Sequence, residues 1–175
     1  YTGPAGLSDE VQARRLVRYS LGLLALGLER TFQLTLIDWT DDPNYADKSV
    51  YRGITHADYT PKPSYAAYKT MCERIAGKSF VRLLRPDAGM CGLLFRDRNE
   101  STLVLWCDYG FATEPTQCEL DLGTPVVLTQ SMYGEWRELR SSTGRYQLPI
   151  GPEPLYIINP GPAITAQKAI AWPTL

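Results

Sequence analysis

The sequence predicts an α+β chain, mostly β, in which two helices and one strand come first and an antiparallel β-sandwich of about eight short strands follows. Residues 8–76 hold two long apolar-periodic runs with helix capping signals. Beyond Gly77 the runs are short, alternating or β-branched, and turn residues separate them at intervals of about 8–12 residues. This change predicts one domain over residues 1–77 and a second over residues 78–175.

The composition excludes several classes of protein. The chain has 175 residues, of which 44% are hydrophobic and 21% charged, so it has enough apolar side chains for a folded core. Its formal net charge of −1 does not suggest the basic stripe typical of nucleic-acid binding. No segment reaches the roughly 18 consecutive apolar residues of a membrane-spanning helix. We therefore expect a globular protein without a nucleic-acid or membrane partner.

The histidine and the cysteines argue against a metal site, and no cofactor is expected. His56 is the only histidine, and the chain has no CxxC motif or Cys/His spacing of the zinc-binding type. Three of the four cysteines fall on predicted strands, where they either form a disulfide or remain as buried thiols. These three are Cys91, Cys107 and Cys118, and the fourth is Cys72.

The first helix has clear start and stop signals. Ser8 is a good N-cap, the acidic residues that follow it suit the first helical turn, and Gly27 is typical of the position after a helix. The second half of this helix, Leu21–Gly27, is apolar on nearly all sides. This pattern predicts that the end of the helix is deeply buried beneath other elements.

A single strand is predicted after the helix, in the segment 31–42 with the sequence TFQLTLIDWTDD. Its apolar positions predict a buried strand: Phe32, Leu34, Leu36 and Ile37. The run ends abruptly in Asp38 and Trp39. A helix, a short connection and an apolar strand form the unit of parallel α/β architectures, which carry their chemistry where strands end.

The segment after the strand joins it to a second helix. Residues 41–58 form a polar loop longer than a plain connection needs, and loops of this length are often functional. The run Thr60-Pro61-Lys62-Pro63-Ser64 opens the helix, and Pro63 suits its first turn, where the missing N–H would have no partner in any case.

These residues together resemble the end of a (β/α)8, or TIM, barrel of a retaining glycoside hydrolase of clan A type, either cellulase-like or β-xylosidase/α-iduronidase-like. The match covers the strand ending in Asp-Trp and the segment 58–65, DYTPKPSY, which leads into a helix. It implies that residues 8–26 are the seventh barrel helix, that 31–39 are the eighth strand, and that a C-terminal β-sandwich follows. Segment 48–54 keeps the Gly-Ile ending that is typical of the family but lacks its acidic residue.

The resemblance implies a divided active site. Retaining enzymes of this type use two glutamates, whose carboxyl groups lie about 5–5.5 Å apart. Both would lie upstream of Tyr1, so no catalytic residue is expected in this chain, which would be inactive alone. Its partners would be an oligo- or polysaccharide and the remaining barrel segment of the same protein. A secreted or periplasmic location is favoured over a cytoplasmic one.

Four residues are the candidates for sugar binding. Trp39 would stack its indole on the apolar face of a sugar ring. Asp38 would accept hydrogen bonds from sugar hydroxyls or orient neighbouring groups, and Tyr45 and Tyr51 would line the rim of the cleft. The structural alternatives are a Trp39 that caps the barrel core and an Asp38 that pairs with an arginine or a loop N–H.

Two other functions compete with this hypothesis. One is a stand-alone, non-catalytic β-sandwich module, carbohydrate-binding or structural, with a helical N-terminal extension. The apolar end of the first helix argues against it, because a lone module would expose that surface. The other is a self-contained enzyme that uses Asp38 and Asp42 as an acid pair, but nothing in the sequence separates the pKa values of the two carboxyl groups.

Overall fold

The computed structural model describes residues 8–42, 44–86, 89–107 and 115–166. By its contacts the chain divides into two compact units, Tyr1–Glu73 and Arg74–Leu175. In the described part, no helix combines the length and the apolar character that crossing a membrane requires.

The first unit contains helix α1, Asp9–Ala25, a 3₁₀ turn at Lys48–Tyr51, and the start of helix α2, Pro63–Ile75. The predicted signals of α1 are confirmed. The Ser8 hydroxyl accepts a hydrogen bond from the Val11 N–H at 3.3 Å, and Gly27 takes a φ of 95° just after the helix. One stripe of α1 is buried, at Ala13, Val17, Ser20, Leu21 and Ala25.

The predicted deep burial of the second half of α1 is only partly right. Leu21 and Ala25 are buried, but Leu23 and Leu24 are half-buried and Leu26 is exposed. The helix therefore has one buried stripe, and the other apolar side chains of its last turns still meet solvent.

The prediction of a buried strand at residues 31–39 is wrong for this chain. The four apolar side chains of the segment are between 37% and 85% exposed, and Ile37 alone takes part in a β-bridge, parallel to Thr55. Thr35 also interrupts the extended backbone with a φ of 60°, which β-branched residues rarely adopt. A strand needs a neighbour along its edge, and the described residues supply one only at the C-terminal end of the segment. We call Phe32, Leu34, Leu36 and Ile37 the apolar ribbon.

The second unit is the predicted antiparallel β-sandwich, which is confirmed. Its described strands are β1 Ser79–Leu84, β2 Met90–Arg96, β3 Ser101–Cys107, β4 Thr116–Asp121, β5 Val126–Gln130, β6 Trp136–Arg140, β7 Arg145–Ile150 and β8 Leu155–Ile158. One sheet has the order β1-β2-β3-β8-β5-β6 and the other pairs β4 with β7. A short helix, α3, follows at Pro162–Ala166.

The core of the second unit lies between its two sheets. Strands β4 and β7 alternate buried and exposed residues, because one of their faces is covered and the other meets solvent. Leu94, Leu103, Leu105 and Ile157 of the larger sheet meet Cys118, Leu120, Leu148 and Ile150 of the smaller one.

The four cysteines are free thiols, with Cys107 and Cys118 buried, Cys91 half-buried and Cys72 exposed. Of the two sequence-based alternatives, the structure therefore has the thiols and no disulfide.

A core substitution in β4 tests this packing. Leu120→Ala removes a fully buried side chain and is expected to destabilise the chain by about 2–5 kcal/mol, because a cavity is left between the sheets. The matched control is Leu128→Ala in β5, whose side chain is exposed and should cost much less. Urea denaturation followed by circular dichroism measures both, and equal losses would contradict the assigned core.

Candidate functional site

The candidate site lies where the apolar ribbon ends. Backbone hydrogen bonds hold this point against the loop that follows it. The Ile54 and Thr55 N–H groups donate to the Leu36 carbonyl at 2.9 and 3.0 Å, and the Asp38 N–H donates to the Thr55 carbonyl at 3.0 Å. The Trp39 N–H donates to the Val50 carbonyl at 3.1 Å. Residues 36–39 are thereby fixed although the segment before them is not a strand.

A tight hairpin then returns the chain to the same point. Thr55 pairs with Pro61 in an antiparallel bridge, and the His56 N–H donates to the Thr60 carbonyl at 2.9 Å. The Lys62 N–H donates to the Ile54 carbonyl at 3.0 Å. The first turn of α2 therefore begins beside Asp38.

Asp38 and Lys62 form a buried ion pair at the centre of the site. Lys62 Nζ contacts Asp38 Oδ2, and the two side chains are 1% and 2% exposed respectively. The Gly53 N–H donates to the other carboxylate oxygen, Oδ1, at 2.7 Å. Burying a lone charge is costly, and here each carboxylate oxygen has a hydrogen-bond donor. From the sequence alone, the structural alternative for Asp38 was pairing with an arginine or a loop N–H. In the structure Asp38 binds a loop N–H, that of Gly53, and its cation is a lysine.

Gly53 is required by the space around it. A Cβ at this position would lie 2.8 Å from Asp38 Oδ1 and closer still to the backbone atoms Asp38 N and Ile37 C. Backbone atoms cannot rotate away as the end of a flexible side chain can. The loop therefore approaches Asp38 as closely as a glycine allows.

Gln12 of α1 completes the junction. Its Nε2 donates to the Gly53 carbonyl at 3.1 Å, and its Oε1 accepts a hydrogen bond from the Ser64 hydroxyl at 3.1 Å. Ser64 is fully buried in the first turn of α2. One side chain of α1 thus holds both the loop and the second helix.

The aromatic candidates have different environments. Trp39 is 78% exposed and Tyr45 is also exposed, so both rings are available to a ligand. Tyr51 is buried, and its hydroxyl donates to the Asp42 carbonyl. Burial raises the pKa of Tyr51, and the nearby Asp42 carboxylate raises it further. Tyr51 therefore supports the loop from beneath, whereas Trp39 and Tyr45 lie on its surface.

Asp38, Asp41 and His56 are a possible donor set for a cation. One ligand atom of each lies within 4.8 Å of the others. The Lys62 ammonium already contacts Asp38, however, and Asp41 Oδ1 accepts the Ala57 N–H at 3.1 Å and lies 3.8 Å from His56 Nδ1. The contacts within the protein account for this group.

Tyr59, a further exposed aromatic, lies at the tip of the hairpin with a φ of 70°. The Asp58 carboxylate accepts hydrogen bonds from the Thr60 hydroxyl at 2.6 Å and from the Thr60 N–H at 2.9 Å. These bonds lower the pKa of Asp58. They also stabilise a turn in which the backbone of Tyr59 takes a left-handed conformation. The sequence did not indicate this turn.

Sequence reasoning missed Lys62, Gly53 and Gln12 as parts of the site. Lys62 carried a usable signal, because a lysine directly before a helix opposes the helix dipole and is stabilised there by a nearby carboxylate. Gly53 was also visible as the retained glycine of the Gly-Ile pair. Gln12 had no signal, since a glutamine on the polar side of a helix is ordinary.

Comparison with known proteins identifies the fold. No family model matches the chain, and no curated protein matches its sequence. A solved family 39 glycoside hydrolase from the gut symbiont Bacteroides cellulosilyticus WH2 has 22% identity and a TM-score of 0.73 over 86% of this chain. The glycoside hydrolase family 30 subfamily 8 xylanase Xyn30A from Clostridium acetobutylicum has 12% identity and a TM-score of 0.54 over 90% of this chain.

The chain has the fold of a part of these glycoside hydrolases. It spans 30% of the length of the first and 40% of the second. The resemblance that the Asp-Trp and DYTPKPSY segments suggested is therefore confirmed as a likeness of fold.

A glycine substitution tests the close approach at Asp38. Gly53→Ala is expected to destabilise the chain by about 1–3 kcal/mol, because its Cβ meets backbone atoms that cannot move aside. Gly22→Ala in α1 is the matched control: it meets nothing within 4 Å and should stabilise the helix by up to about 1 kcal/mol. Urea denaturation measures the change, and similar effects at both positions would contradict the packing described for Gly53.

Proposed function

We propose that this chain is the C-terminal portion of a retaining glycoside hydrolase. It supplies one wall of the sugar-binding cleft and a β-sandwich that stabilises the enzyme, while both catalytic glutamates lie upstream of residue 1. The observation that carries the proposal is Trp39, an indole 78% exposed on a backbone held by Val50 and by the buried Asp38. A rigid base beneath an exposed aromatic ring is what sugar stacking requires.

The apolar ribbon favours the presence of a neighbouring segment that covers it. All four of its side chains are exposed, and soluble proteins usually cover an apolar surface of this kind. The remaining barrel segment of the same protein would cover this surface by continuing the sheet along the ribbon.

The chemistry of the wall follows from the four candidate residues. Trp39 stacks on a sugar ring next to the reacting bond, and Tyr45 contacts a hydroxyl or a second ring at the rim. Asp38 and Tyr51 act from beneath, because both are buried and hold the loop. Asp38 is neutralised by Lys62, so it is unsuited to act as the acid or the nucleophile of a retaining mechanism. Those roles belong to the upstream glutamates.

The substrate class is an oligo- or polysaccharide. The name of the Clostridium acetobutylicum neighbour, a xylanase, makes xylo-oligosaccharides the first compounds to test. A stand-alone sandwich module would leave the apolar ribbon exposed to solvent, so that alternative is disfavoured.

Removal of the indole tests the proposed wall. Trp39→Ala is expected to weaken xylohexaose binding by about 30-fold, or about 2 kcal/mol, because a stacking surface of this size is lost. The matched control is Trp136→Ala: Trp136 is half-exposed in the second unit, packs under the Arg74 guanidinium and should leave the affinity unchanged. NMR titration measures both. Undiminished affinity in the Trp39 variant would refute the proposed site.

The chain alone is expected to hydrolyse neither xylo- nor cello-oligosaccharides, because the proposed catalytic glutamates are not in it. Reducing-sugar release over a day at high protein concentration is the measurement. Heat-denatured chain is the blank. Turnover that Asp38→Asn or Asp42→Asn abolishes would contradict the divided active site and would favour the self-contained acid pair.

A further inference from the structure

We propose that Lys62 is a positioning residue for sugar binding. Its buried ammonium fixes the Asp38 carboxylate, and through that carboxylate it holds the backbone that carries Trp39 in the orientation that stacks on a sugar. The inference rests on the proposed function in one respect only, the contact between Trp39 and the sugar.

The geometry gives Asp38 three separate restraints. Lys62 Nζ holds Oδ2, the Gly53 N–H holds Oδ1 at 2.7 Å, and the Asp38 N–H is bound to the Thr55 carbonyl at 3.0 Å. Trp39 is the next residue, so its Cα lies about 3.8 Å from the restrained one. Its indole is exposed, so the restrained backbone fixes the Cα–Cβ bond from which the ring extends and limits the positions that the ring reaches.

Lys62 acts on the sugar site through Asp38. Its side chain is 1% exposed, so it cannot reach a sugar in the cleft or exchange a proton with one. Its own N–H is bound to the Ile54 carbonyl at 3.0 Å, which fixes the start of α2 beside the loop. The backbone at the start of α2 therefore brings the ammonium to the carboxylate.

The energetics indicate that the ion pair serves geometry more than stability. A buried pair gains little over apolar side chains of similar size, because both charges lose their hydration. A lysine directly before the first turn of α2 is disfavoured further by the helix dipole. What an apolar pair cannot provide is an acceptor for the Gly53 N–H and a directed contact that holds Asp38 in one place.

The test compares two variants with a control in the whole chain. Lys62→Met leaves the Asp38 carboxylate buried without its cation. The double variant Asp38→Leu with Lys62→Met removes both charges and keeps an apolar filling. Lys78→Met is the matched control, because Lys78 Nζ pairs with Glu100 at 2.9 Å within the second unit. The readouts are the urea midpoint, xylohexaose affinity, and the heteronuclear NOE of the Trp39 indole N–H, assigned with Trp39→Phe.

Lys62→Met is expected to lower the urea midpoint strongly. The double variant should recover most of that loss, yet bind xylohexaose at least about 10-fold more weakly and show a mobile Trp39 indole. Lys78→Met should change neither the affinity nor the indole signal.

A double variant with wild-type affinity and an ordered indole would overturn the proposal. So would a double variant that fails to fold, because the pair would then be needed for the fold itself. If Trp39→Ala leaves binding intact, the proposed sugar contact fails, while the indole mobility still decides whether Lys62 positions Trp39.

Discussion

The buried ion pair between Asp38 and Lys62 is the contact around which the segments of the first unit are positioned. Lys62 lies directly before α2, and Asp38 lies at the end of the apolar ribbon. Gly53 of the loop donates to the same carboxylate, and Gln12 of α1 binds the carbonyl of that glycine. Four segments distant in sequence thus meet at one carboxylate. Removing the carboxylate alone would take the acceptor from the Gly53 N–H and the counter-charge from the buried Lys62 ammonium, so that single loss is costly.

The second unit is held by a different principle. Its core is a continuous set of apolar side chains between two sheets, and no single contact dominates it. Antiparallel pairing satisfies the backbone, and the polar edge strand β6, with Arg137, Glu138 and Arg140, discourages pairing with another chain. Such a core tolerates the loss of one contact, whereas the polar junction of the first unit does not. This contrast suits a support for one unit and a ligand surface for the other.

The sequence predicted elements that depend on local signals and missed those that depend on distant partners. Ser8 and Gly27 marked the two ends of α1, and the alternation of apolar residues located the eight strands. Both signals are visible in sequence because helix caps and one-sided burial depend on residues only a few positions apart. The strand predicted at the apolar ribbon is absent from the structure. A strand needs a neighbouring edge to pair with, and Thr35 takes a left-handed φ. The partner of Asp38 was missed because the hairpin that returns Lys62 to it is set by the bridge of Thr55.

The same junction explains why an exposed indole can serve as a specific surface. A ligand that stacks on a free, mobile side chain must meet the entropic cost of ordering it, which weakens binding. Trp39 escapes part of that cost because its backbone is bound on both sides, to Val50 and through Asp38 to Lys62. One flat wall still cannot enclose a sugar, since retaining hydrolysis needs two carboxyl groups about 5–5.5 Å apart across the bond. The proposed function therefore assigns one aromatic wall of the cleft to this chain and the other walls to further barrel strands, which would also cover the apolar ribbon.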